Sequence, residues 1–167
     1  MGNIVIEIIL NNEQLNFCKK IGYLRGLSYH HIDTINSQNF LKDKKGWYRS
    51  FIGVVGELAY ALHTGQEINK AHEIDKYVLG IGDDGNDFYG SVNVKCSDTI
   101  NKPNLMFPKL QFYRKQSKYY VLTWYKEPSV FLVGWIDRQT IEENIIIKDY
   151  GYGETIFFPN EMLRDFE

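Results

Sequence analysis

Two cysteines in 167 residues are too few for a disulfide framework. Cys18 and Cys96 therefore point to a reducing compartment, and the expected setting is cytoplasmic. Four histidines supply no zinc pattern. His63 and His72 lack a ligand-spaced partner, and the neighbours His30 and His31 point different ways in any regular element. No apolar run is long enough to cross a bilayer, and the N-terminal one is broken by Glu7. That run also lacks the basic leader of a signal peptide, and Ile6 stands where a myristoylation signal needs Ser or Thr. No internal repeat or low-complexity segment is present. Positive charge is not in excess either: the net charge is −2. Proteins that hold nucleic acid by charge are usually basic, so such a role here needs a local basic strip, a second copy of the chain or a partner subunit.

Against those absences, Asp87-Phe-Tyr-Gly-Ser-Val-Asn93-Val-Lys95-Cys-Ser97 stands out. An acidic residue is followed by a glycine-containing turn and then a strand. Strand side chains alternate faces, so Asn93 and Lys95 share one face while Val92, Val94 and Cys96 share the other. The Val face reads as core, which leaves a cation beside a polar amide. Turn length decides whether Asp87 joins them. A two-residue turn at Gly90-Ser91 pairs Asp87 with Val94, on the wrong face. A three-residue loop, Tyr89-Gly90-Ser91, pairs it with Asn93. We expect the longer loop, with glycine supplying positive φ where one is needed. Asp87 then serves as a metal ligand and Lys95 as the cation facing a scissile phosphate, the minimum for metal-assisted hydrolysis. Asp83 and Asp84, in the same turn-forming run, solvate the loop. No Glu follows at EF-hand spacing, which argues against a calcium loop.

Residues Tyr48 to His63 form an expected helix with apolar side chains on nearly every side, buried against a sheet. Gly53 and Gly56 permit close backbone approach, and Gly65 is placed to end the helix in a left-handed conformation. Glu57 is the anomaly, because a carboxylate in such a helix is costly unless a cation or metal meets it. The plain alternative is a Glu at the helix edge, solvated or paired with a Lys.

Asp87…Asn93-Val94-Lys95, preceded by Gly56-Glu57-Leu58-Ala59, resembles the core of the PD-(D/E)XK nuclease superfamily, with Asn where the second acidic residue normally stands. The resemblance covers roughly residues 48 to 136. It implies one α/β domain over residues 1–167, restriction-endonuclease-like, with a mixed central β-sheet flanked by α-helices. It implies Mg²⁺ or Mn²⁺ held by Glu57, Asp87, the residue at Asn93 and the Val94 carbonyl, with Lys95 activating water. It favours DNA as the partner, with RNA second and no membrane. The short chain and the missing Pro before Asp87 are similar to small nucleases of phages or mobile elements that act in a bacterial host cell.

Asn93 is the departure. A neutral amide binds hard divalent ions less well than a carboxylate. Three explanations stay open: Glu57 and Asp87 suffice as the acidic pair, the chain is a natural non-cleaving derivative, or the Asn is a deliberate replacement of Asp. A non-catalytic module binding nucleic acid or protein on the same fold, and an endonuclease for structured RNA, are the rival functions.

Nucleic-acid contacts are expected from Ser97, Lys109, Arg114, Lys115 and Lys118, where basic and aromatic residues interleave. The alternative is a solvated basic face with Phe112 and Tyr113 in the core. Pro103 and Pro108 argue for loop here. Lys42, Lys44, Lys45 and Arg49 form a second basic patch. Tyr120–Tyr125 and Val130–Ile136 read as central strands buried on both faces, with Trp124 and Trp135 in the core. Asn3–Leu10 reads as a strand and Glu13–Tyr23 as an amphipathic helix ending near Gly22 or Gly26. Asp137 caps a short helix, and a strand over Thr155–Phe158 precedes a helical turn from Pro159.

Overall fold

The computed structural model describes residues 5–30, 46–67, 88, 91–151 and 153–167. Four α-helices and seven strands lie within them. Strand β1 (Ile6–Ile9) leads into helix α1 (Asn12–His30), and α2 covers Gly46–Thr64. Then follow β2 (Val92–Ser97), β3 (Leu105–Pro108), α3 (Lys109–Arg114), β4 (Tyr119–Lys126), β5 (Ser129–Asp137), α4 (Arg138–Glu143), β6 (Ile146–Asp149) and β7 (Glu154–Phe158). A four-stranded sheet has the order β1-β5-β4-β2, antiparallel except for the parallel pair β4–β2. A second, antiparallel sheet has the order β3-β7-β6. The expected mixed α/β architecture is therefore present. None of the helices described is long and apolar enough to cross a membrane.

The first sheet is covered on both faces. Tyr125, Val130 and Leu132 face α1 and α2, packing with Cys18, Phe51, Val55 and Ala59. Tyr120, Leu122, Val133 and Ile136 face the second sheet and the short helices, packing with Phe107, Phe112, Ile141 and Phe158. Tyr120 and Phe107 stack with centroids 4.8 Å apart. The expectation that β4 and β5 are central and buried on both faces holds.

Helix α1 is longer than expected. Asn11 Oδ1 accepts from the Gln14 N–H at 2.9 Å and Gln14 Oε1 accepts from the Asn11 N–H at 2.8 Å, a reciprocal cap that starts it. It then runs through Gly22 and Gly26. Gly22 is a contact point: a Cβ there would lie 2.5 Å from the Phe51 Cα on α2. Gly22→Ala must push the two helices apart. We expect it to cost about 1–3 kcal/mol, read as a lower urea midpoint, whereas an unchanged midpoint would contradict this contact.

Other expectations are corrected by packing. Gly53 faces open space, and only Gly56 of the α2 pair meets the sheet, against Thr123 and Cys96. Gly65 does end α2, with φ of 68°. Pro108 closes a strand and precedes a helix instead of marking loop. It sits on β3, which ends the order of the second sheet among the described residues, a position where strand proline is tolerated. Trp124 and Trp135 are half-buried at the sheet margins rather than in the core. Their indole N–H groups reach backbone carbonyls, Trp124 to Thr99 at 2.8 Å and Trp135 to Asp165 at 3.2 Å. Strand β1 is shorter than Asn3–Leu10, and residues 1–4 lie outside the described set. Strand β6, exposed along its length, had no strong pattern to predict it. Asp137 caps α4 as expected, its Oδ1 accepting from the Thr140 N–H at 2.8 Å.

Candidate active site

Among the described residues β2 is the last strand in the order of the first sheet, with Phe88 bridged to its start, and its two faces are distinct. Val92 and Val94 pack on Tyr60 and Ala61 of α2, and Cys96 meets α2 at Gly56. Alternation turns Asn93 and Lys95 to the opposite face, where their ladder partners are Tyr120 and Leu122. Asn93 is only 5% exposed. Lys95 is half-buried, and its Nζ donates to Gln111 Oε1 of α3 at 3.1 Å.

The turn before β2 has the expected length. Phe88 bridges antiparallel to Val92, with Phe88 N–H donating to the Val92 carbonyl at 3.3 Å. Three residues separate them, the loop length inferred from the sequence. The positive φ expected of glycine is carried, among the described residues of the turn, by Ser91, at 65°. Asp87, Asp83 and Asp84 lie outside the described residues, as do Lys42, Lys44, Lys45, His31 and His72.

Lys95 and Ser97 open on a cleft of about 760 Å³, walled by residues 98–104 with Met106 and Leu122. The wall is tied down: Lys126 Nζ donates to the Ile100 carbonyl at 2.8 Å, and the Trp124 indole holds Thr99. Asp98, Asn101, Lys102 and Asn104 bring polar groups to it.

Glu57 sits elsewhere. It is 5% exposed and its two oxygens accept from Arg25 Nη1 and Nη2 at 2.9 and 2.7 Å, a bidentate pair joining α2 to α1. The expectation that a cation meets this carboxylate is fulfilled by Arg25, a residue the sequence reading did not single out. Its signal was present: Leu15, Cys18, Gly22 and Arg25 fall in phase on one helical stripe, and the first three are buried. The pair lies on the helical side of the first sheet, whereas Lys95 faces the other side.

Of the basic candidates, Lys109 is ion-paired with Glu154 at 2.7 Å. Arg114 and Lys118 are exposed, and Lys115 is half-buried. Phe112 and Tyr113 part company: Phe112 is core at 1% exposure and Tyr113 is 54% exposed. Helix α3 thus lays a basic, partly aromatic surface beside Lys95. Arg49 is exposed at the start of α2, and His63 packs edge-on against Phe166.

Burial disfavours the thiolate form of both cysteines. Burial pushes Cys18 up to about 12, reinforced by the Glu57 carboxylate and opposed by Arg25. Burial likewise pushes Cys96 up to about 12, against a hydrogen bond with Thr123. As to a divalent ion, no three His, Cys, Asp or Glu side chains come together among the described residues. Glu57 does not fit the implied ligand set, because Arg25 takes both its oxygens. The Asn93 amide and the Val94 carbonyl, adjacent on β2, offer the hard neutral oxygens that such an ion accepts.

No protein-family model matches the chain, and no match was found among curated proteins or solved structures.

Proposed function

We propose that the protein hydrolyses phosphodiester bonds of nucleic acid with Mg²⁺ or Mn²⁺, at a site built on the turn into β2. The observation that carries this reading is the Asn93–Lys95 face: a half-buried lysine held by Gln111 at the mouth of a cleft that Ser97, Asp98 and Asn101 also line, on a strand entered by a three-residue turn. In this reading Asp87, Asn93 and the Val94 carbonyl would hold the ion, which would supply Lewis-acid activation of water and of the phosphoryl oxygen when bound. Lys95 stabilises charge on the phosphate and orients the attacking water. Ser97, the α3 residues Lys109 and Arg114, and Lys115 just after α3 position the backbone on either side. Glu57 holds α1 to α2 and stays out of the chemistry. DNA is favoured over RNA on the resemblance alone.

A second reading has its own observation. The amide at Asn93 and the capture of Glu57 by Arg25 remove two acidic groups that a PD-(D/E)XK-like site would use. A non-cleaving nucleic-acid-binding module fits that loss. The two are separated by cleavage of labelled single-stranded DNA, duplex DNA and structured RNA, with Lys95→Ala alongside. The hydrolytic reading expects divalent-dependent cleavage that Lys95→Ala lowers at least about a hundredfold. Cleavage that Lys95→Ala leaves intact would overturn it.

A further inference from the structure

A second surface opens at the end of the first sheet where β4 begins and β5 finishes. Tyr119 is 41% exposed and meets half-buried Trp135 edge-to-face, with centroids 5.9 Å apart. The two rings line two adjoining hollows. One, of about 400 Å³, is mainly apolar, with Tyr60, Val92 and Phe166 in its wall. The other, of about 500 Å³, brings in Lys118, Arg138 and Arg164.

An aromatic slot opening onto cations suits an unstacked base with its phosphates outside. The charges are largely spent: Arg164 pairs with Asp137 at 2.8 Å and lies over the Trp135 ring, 5.0 Å from its centroid, and Arg138 pairs with Glu142 at 2.7 Å and donates to the Phe112 and Lys115 carbonyls, which leaves Tyr119 as the more exposed ring. Stacking therefore carries most of the affinity, and its salt dependence is shallow. Tyr119 is the ladder partner of Val92, the residue before Asn93. Trp135, on β5, is two strands from β2, about 10 Å at ordinary strand spacing. The slot is on the α2 face and Asn93 on the other, so a single strand reaching both must pass round the end of β2.

We propose that the Tyr119–Trp135 slot binds an unpaired nucleobase, making single-stranded or locally unpaired nucleic acid the substrate class. This deepens the hydrolytic reading, but binding itself does not depend on it. The test is fluorescence anisotropy in EDTA with a labelled DNA of about 12 nucleotides, single-stranded and as duplex. The single strand should bind at least about tenfold more tightly. Tyr119→Ala should weaken it about tenfold, Tyr119→Phe should retain it, and circular dichroism should show both variants folded. Equal affinity for both forms, no single-strand binding, or a folded Tyr119→Ala that binds normally would overturn the proposal. So would a Tyr119-dependent dimer in sedimentation, which would make the slot a self-interface. A chain that binds through Tyr119 yet never cuts keeps this inference and loses the hydrolytic one. A chain whose duplex cleavage ignores Tyr119→Ala does the reverse.

Discussion

Glu57→Ala is expected to lower the unfolding free energy by about 3–5 kcal/mol. Arg25 is 7% exposed, and the substitution removes the bidentate carboxylate from a guanidinium that cannot lose its charge. The attraction within such a pair roughly offsets the cost of desolvating both partners, whereas removing one partner leaves the cost of the other. Replacing both residues by apolar ones of similar size should therefore recover most of the loss. Denaturant melts of the two single variants and the double variant check this. The measurement also separates two roles for Glu57. A joint between helices predicts a loss in EDTA that Mg²⁺ does not alter. A metal ligand predicts little loss in EDTA and a larger one with the ion present. The second pattern would contradict the assignment of Glu57 to the ion pair.

Asn93→Asp is expected to change the divalent-ion response most. The side chain is 5% exposed, so a carboxylate there is costly without a cation to offset it. In EDTA the variant should melt below the parent chain. With Mn²⁺ at about a hundred times the dissociation constant, binding should restore about 2.7 kcal/mol, a rise the parent shows weakly or not at all. Equal responses of the two chains would mean that residue 93 does not face the ion.

The sequence made the strands around the site legible because burial there follows simple alternation. The Asn93/Lys95 face, the valine face of β2 and the three-residue turn all came from period two and loop arithmetic. The cap at Asp137 and the end of α2 at Gly65 came from residue chemistry that needs no tertiary partner. What failed depended on contacts distant in sequence. Gly22 looked like a helix stop because its reason for being glycine is Phe51, 29 positions later. Pro108 looked like loop because its edge position is fixed by pairing with β7. Trp135 looked like core because composition does not show that the C-terminal residues cover only part of it. The phase of Arg25 places it on a buried stripe. A charged residue in phase with core positions calls for a partner of opposite charge, and Glu57 calls for one in the same way.

The most direct test of the central claim is cleavage of labelled single- and double-stranded DNA and structured RNA in Mg²⁺ and Mn²⁺ by this chain and its Asn93→Asp variant, each with and without Lys95→Ala. The account predicts divalent-dependent cutting that is stronger with Asp at position 93 and that Lys95→Ala abolishes in both backgrounds. No cutting by either chain on DNA or structured RNA, or cutting indifferent to Lys95, would contradict it.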